Sequence, residues 1–79
     1  MERQFGDVYF ETSYFEDQNE GCAGVRLHRT RAGAQPIVAA EVVFWDASGQ
    51  FFVETFNTDV PLEILERLIA EARERIDGG

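Results

Sequence analysis

The sequence predicts an α+β fold: a four-stranded antiparallel β-meander with one C-terminal helix packed on one face, in the order β-β-β-β-α. Three observations predict it. Residues 5–56 fall into alternating or continuous apolar stretches broken by Gly, Pro and acidic knots, the pattern of strands and turns. From residue 62 onward the apolar period changes from that of a strand to that of a helix. The links are too short for crossover connections, so neighbouring strands are expected to run antiparallel. Residues 1–79 are read as a single α+β domain with no internal repeat and no linker.

The first strand is read over residues 5–15, FGDVYFETSYF, where Val8, Phe10, Thr12 and Tyr14 alternate with Tyr9, Glu11, Ser13 and Phe15. β-Branched and aromatic residues suit such a pleated, half-buried surface. The acidic run EDQNEG (16–21) ends in Gly and is read as a turn. Residues 22–31, CAGVRLHRTR, alternate again, with Ala23, Val25 and Leu27 against Arg26, His28 and Thr30. Pro36 then stands at the mouth of the third strand, where its missing N–H is tolerated. That strand, Ile37 to Trp45, is almost continuously apolar, and DASG (46–49) carries the Asp and Gly of a short hairpin turn. The fourth strand runs from Gln50 to Phe56.

In NTDVPLEILERLIAEARERIDGG, Leu62, Leu65, Leu68, Ile69, Ala72 and Ile76 follow the i, i+3, i+4 rule of an amphipathic helix. Pro61 excludes Val60 from helical space and suits the first helical position. Glu63 falls where the helix dipole favours an acid, and Arg73 and Arg75 where it favours a base. The spacings Glu63 to Arg67 and Glu71 to Arg75 suit surface pairs worth ~0.3 kcal/mol each. Gly78 suits a C-terminal cap.

The hairpin VVFWDASGQFFVETF (42–56) decides which apolar residues are spare. A turn centred on Ser48 sets Trp45 opposite Phe51, Val43 opposite Val53 and Glu41 opposite Thr55 on one face. It sets Phe44 opposite Phe52, Val42 opposite Glu54 and Ala40 opposite Phe56 on the other, and a bulge in the turn would shift this register. A helix about 10 Å wide covers only part of a sheet whose strands lie about 4.8 Å apart. It is expected over Val38, Ala40, Val42 and Phe44, where small residues leave room for Leu65, Ile69 and Ala72. Val43, Trp45, Phe51 and Val53 then form the candidate interaction face, joined by Tyr9, Glu11, Arg26 and His28. Contiguous exposed apolar surface beyond a few hundred Å² marks an interaction site.

Composition points the same way. A chain of 79 residues buries only roughly 60% of the surface its unfolded form exposes. Seven Phe, two Tyr and one Trp are a heavy aromatic load for that length, and a second chain is an efficient place to bury some of it. Fifteen acids against seven bases, all Arg, give net charge −8, which disfavours nonspecific attraction to nucleic acid or anionic membrane. Cys22 is alone, so a disulfide framework is excluded. MERQFGDVYF has no continuous apolar run and reads as neither signal peptide nor transmembrane helix; a cytoplasmic protein is expected.

No catalytic residue, metal site or cofactor is expected. Cys22 and His28 lie on one strand about 20 Å apart, too far for a nucleophile and its base. One His, one Cys and scattered carboxylates supply no tetrahedral metal spacing, and the 16–21 loop lacks the correctly placed Gly and the closing bidentate Glu of a calcium loop. Glu41 and Glu54 are paired carboxylates, but one meander with one helix rarely builds a deep pocket.

Nucleic acid is the alternative. Arg26, His28, Arg29 and Arg31 concentrate positive character on the second strand, and Tyr9 and Trp45 offer stacking platforms, the combination used to bind single strands. In element order, β-β-β-β-α resembles the single-strand-binding transcriptional coactivators of the PC4 and Whirly type, a resemblance that implies dimers formed through the helices and binding on the sheets. The competing reading is a charge ladder, with Arg26 and Arg31 balancing Glu11, Glu41 or Glu54 on neighbouring strands. The expected function is a small, acidic, non-enzymatic interaction or regulatory module, a homodimer or a protein docked on another protein, with no membrane partner.

Overall fold

The computed structural model describes residues 1–77. It is an antiparallel sheet of five strands in consecutive order, followed by one helix packed on the sheet. The strands are β1 (Glu2–Phe5), β2 (Val8–Asp17), β3 (Cys22–Arg31), β4 (Ile37–Trp45) and β5 (Gln50–Thr55), and the helix is α1 (Leu62–Asp77). The α+β meander with a C-terminal helix is thus present, with five strands where the sequence predicts four. Gly78, read as the helix cap, lies outside the described residues.

The added strand comes from splitting the first expected one. Phe5 belongs to β1, which pairs with β2 from Glu2 opposite Glu11 to Phe5 opposite Val8. Gly6 closes the hairpin with a φ of 67°, a conformation costly for residues that carry a Cβ. ERQF shows no apolar alternation because most of β1 is exposed.

β2 and β3 pair along their whole length, from Val8 opposite Arg31 to Asp17 opposite Cys22. Their alternations therefore superpose: Val8, Phe10, Thr12, Tyr14, Val25 and Leu27 face α1, and Tyr9, Glu11, Ser13, Phe15, Arg26 and His28 face away. Between β3 and β4 the register shifts after Leu27, where β4 contributes the additional Ala39. This bulge explains why consecutive Ala39 and Ala40 are both 0% exposed. It also turns Val38, expected beneath the helix, to pair with His28 on the opposite face.

α1 packs on β3 and β4. Its innermost line is Ile64, Leu68 and Ala72, set against Phe10, Val25, Leu27, Ala39, Ala40 and Val42, with Leu65 and Ile69 on its flank. Full burial of side chains such as Phe10, Leu27, Ile64 and Leu68 stabilises by roughly 1.5–3 kcal/mol each. The expected stripe is rotated: Leu62 is 70% exposed, and Ile64, outside the predicted set, takes the central position.

The helix begins at Leu62, directly after Pro61, whose carbonyl accepts the Leu65 N–H at 3.0 Å. Glu71 and Arg75 pair at 3.5 Å as their spacing predicts, whereas Glu63 reaches Arg3 of β1. The Glu71 carboxylate also accepts from the Thr12 hydroxyl at 2.9 Å, tying the helix to β2. Among the described residues, no helix is long and apolar enough to cross a membrane.

Candidate interaction surface

The β4–β5 hairpin decides what the sheet presents on its open face, the one away from α1. Asp46–Gly49 forms the loop, with Gly49 at φ 66° and its N–H donating to the Trp45 carbonyl at 2.8 Å. β5 consequently pairs Phe44 with Phe51, Val43 with Phe52 and Val42 with Val53, displaced from a turn centred on Ser48. A shift of this kind exchanges the faces of one strand. Phe51 and Val53, expected beside Val43 and Trp45, lie on the α1 side, where the Phe51 and Phe44 ring centroids stand 5.0 Å apart. Phe52, expected beneath the helix, joins Val43 and Trp45 on the open face.

Phe15 completes that surface from β2. It is the cross-strand partner of Gly24, and its ring carries the Arg26 guanidinium 4.0 Å above the centroid. Arg26 Nε also donates to Glu41 Oε2 at 3.1 Å, so the cation is held between a ring and a carboxylate. Phe15, Cys22, Arg26, Glu41, Val43 and Trp45 line a shallow concavity of about 330 Å³, bordered by Glu16, Asp17 and Glu20. Val43 is 8% exposed although α1 packs on the opposite face, while Phe52 at the sheet edge is 53% exposed. The loop ends are locked together: Asp17 Oδ1 accepts the Glu20 N–H at 3.1 Å, and the Asp46 N–H donates to the Gly21 carbonyl at 2.9 Å.

No family model, curated protein or solved structure matches the chain. The chemistry of the surface itself therefore carries the functional argument.

The sequence-derived nucleic-acid set does not converge. Tyr9, Arg26, His28 and Trp45 share the open face, but Arg29 and Arg31 pair with Phe10 and Val8 on the α1 side. Arg29 Nη1 donates to Thr58 Oγ1 at 2.6 Å, and its buried Nε has no partner among the described residues. Tyr9 lies opposite Thr30 and Trp45 opposite Cys22, which separates the two rings by about 26 Å along β3. The element order behind the resemblance to the PC4 and Whirly type also changes, because β1 precedes the other strands.

Cys22 and His28 share a face of β3 without meeting. His28 Nε2 is 2.7 Å from Ser13 Oγ. Partial burial, followed by the negative charges of Asp17, Glu20, Glu41 and Asp46, raises the Cys22 thiol above its ordinary range, the opposite of what an activated nucleophile needs. Among the described residues no group of three or more His, Cys, Asp or Glu is placed to hold a metal ion. Glu41 and Glu54 are direct cross-strand partners, with Arg26 on the other flank of Glu41.

Two aromatic residues of the surface, Phe15 and Phe52, lie outside the sequence-derived interaction set. Phe15 was legible, since the alternation places it on one side with Tyr9, Glu11 and Ser13. Phe52 was not, because its face depends on the length of one loop.

Proposed function

We propose that this chain is a non-enzymatic interaction module, acting in the cytoplasm, which docks on protein through the apolar end of its open sheet face. The partner is a second copy of the chain or a foreign protein. One observation carries the reading: Phe52, 53% exposed, extends Phe15, Val43 and Trp45 into an apolar surface on which no element of the described chain packs. Removing such surface from water contributes roughly 25 cal/mol per Å², a gain that matters most to a chain with a small core. The border of Glu16, Asp17 and Glu20 places negative charge beside the patch, which disfavours polyanions such as nucleic acid.

Single-stranded nucleic acid is the alternative for the same face, through Tyr9, Arg26, His28 and Trp45. It has less support, because Arg26 is already engaged by Glu41 and Phe15 and the chain carries net charge −8.

Sedimentation over a concentration series, read with the emission of Trp45, the only tryptophan, tests the proposal. Association with a blue shift is expected, weakened by Phe52→Ser. A chain that stays monomeric, keeps concentration-independent emission and recovers no partner from lysate contradicts the proposal. Tight binding of a labelled oligonucleotide at ~50 mM salt would favour the alternative.

A further inference from the structure

The free edge of the sheet carries an inference that rests on the interaction reading above and names the partner. Among the described residues β5 ends the strand order and pairs with β4 alone. The Phe56 N–H donates to the Ala39 carbonyl at 3.0 Å. In an antiparallel ladder alternate residues direct their backbone groups the same way, so the N–H and C=O groups of Phe51, Val53 and Thr55 point outward. Natural edges are blunted by shortness, charged side chains, Pro or bulges. β1, at 4 residues of largely polar ERQF, fits that description. β5 has only the charge of Glu54: it spans 6 residues, keeps an unbroken register with β4, and exposes Phe52 at 53% on one face and Val53 at 46% on the other.

We infer that β5 pairs antiparallel with β5 of a second copy, about a two-fold axis that passes beside Phe52 perpendicular to the sheet. Such an axis keeps each face on its own side, so only residues of the same face meet. With Phe52 at the axis, it meets Phe52 of the second copy on the open face. Phe51 then meets Val53 of the second copy, each exchanging both outward backbone bonds, and Gln50 meets Glu54 of the second copy. Aromatic, aromatic–aliphatic and amide–carboxylate pairs are all favourable cross-strand neighbours.

Moving the axis to Val53 sets Phe52 against Glu54, moving it to Glu54 opposes two carboxylates, and moving it to Phe51 sets Phe52 against Gln50 and Val53 against Gly49, so the register about Phe52 pairs the apolar residues best. The rotation also carries the acidic β2–β3 loops to opposite ends of the joined sheet, which separates the charge of two −8 chains. The apolar ends of the two open faces become one continuous surface.

Cross-linking tests the register. In a Cys22→Ser background, Phe52→Cys is expected to form a disulfide-linked dimer under oxidised glutathione. Facing residues of a non-hydrogen-bonded pair have Cα atoms about 4.5 Å apart, within disulfide reach. Val53→Cys is expected to cross-link far less.

Val53→Pro removes an outward N–H and leaves the ladder with β4 intact. It is expected to keep its circular dichroism and to weaken the dimer at least about tenfold in sedimentation. A folded Val53→Pro chain that associates like the parent, without Phe52→Cys cross-linking, overturns the edge pairing but leaves the interaction reading standing. A monomeric parent chain with no Phe52→Cys cross-link overturns the edge pairing, and failure to bind any other protein would then remove the broader reading as well.

Discussion

The Phe15 ring occupies the space that a side chain at Gly24 would need. A Cβ at Gly24 would stand 2.8 Å from Phe15 Cε1 and Cζ and would also collide with the Val42 carbonyl oxygen. Glycine is therefore required here by close packing across the sheet, and the ring it admits is the seat on which Arg26 rests.

Gly24→Ala should consequently destabilise the chain by about 1–3 kcal/mol, the usual cost of overpacking, seen as a lower urea midpoint. It should also displace Phe15 and loosen the Arg26 contact with Glu41. An unchanged midpoint would contradict both close approaches, that of the Phe15 ring and that of the Val42 carbonyl.

The helix makes a second comparison possible between neighbouring apolar residues. Ile64→Ala empties a fully buried position and should cost about 2–5 kcal/mol. Leu62→Ala, at a position 70% exposed, should stay within about 0.5 kcal/mol. Thermal or urea unfolding of the two variants side by side checks the rotation of the helix, and equal losses would contradict it.

Glu41 and Glu54 face each other across β4 and β5, a like-charge arrangement that opposes pairing. Glu54→Gln should raise stability by about 0.2–1 kcal/mol at low salt, and the gain should shrink as salt screens the repulsion. Arg26→Ala should do the reverse, because it strips Glu41 of its ion-pair partner. Paired urea titrations at two salt concentrations separate these effects.

Alkaline pH should weaken the fold. The Cys22 thiol is raised by partial burial first and by surrounding carboxylates second. Tyr9 and Tyr14 are raised in the same order, by burial and then by Glu2 for Tyr9 and Glu16 for Tyr14, with Arg75 opposing at Tyr14. Between the ordinary value and the raised one, the folded chain keeps a proton that the unfolded chain has released. The stabilisation is therefore fully present below the ordinary thiol and phenol values and is lost as pH climbs through the raised ones. Tm should begin to fall above about pH 8.5, the ordinary thiol value, and Cys22→Ser should delay the onset towards the phenol range. A flat Tm across that range would contradict the prediction.

Much of this architecture was legible in particular residues. The alternation of Val8, Phe10, Thr12 and Tyr14 against Tyr9, Glu11, Ser13 and Phe15 assigns both faces of β2 correctly, and that of Val25 and Leu27 against Arg26 and His28 does the same for β3. The Arg26–Glu41 rung of a charge ladder forms at 3.1 Å. The candidate site was half legible: Val43 and Trp45 share the open face, while Phe51 and Val53 do not.

By itself the sequence determined the positions of the longer strands, the helix and the surplus of aromatic residues, because hydrophobic period and turn punctuation are short-range properties of the chain. The tertiary structure alone decided which aromatics are spare. Gly49 at φ 66° sets the length of one loop and sends Phe52 outward and Phe51 inward. The bulge at Ala39 reverses Val38, and contact with β3 and β4 makes Ile64, not Leu62, the centre of the helix face. Each outcome turns on a register or a rotation, and these are chosen by the fit between distant segments.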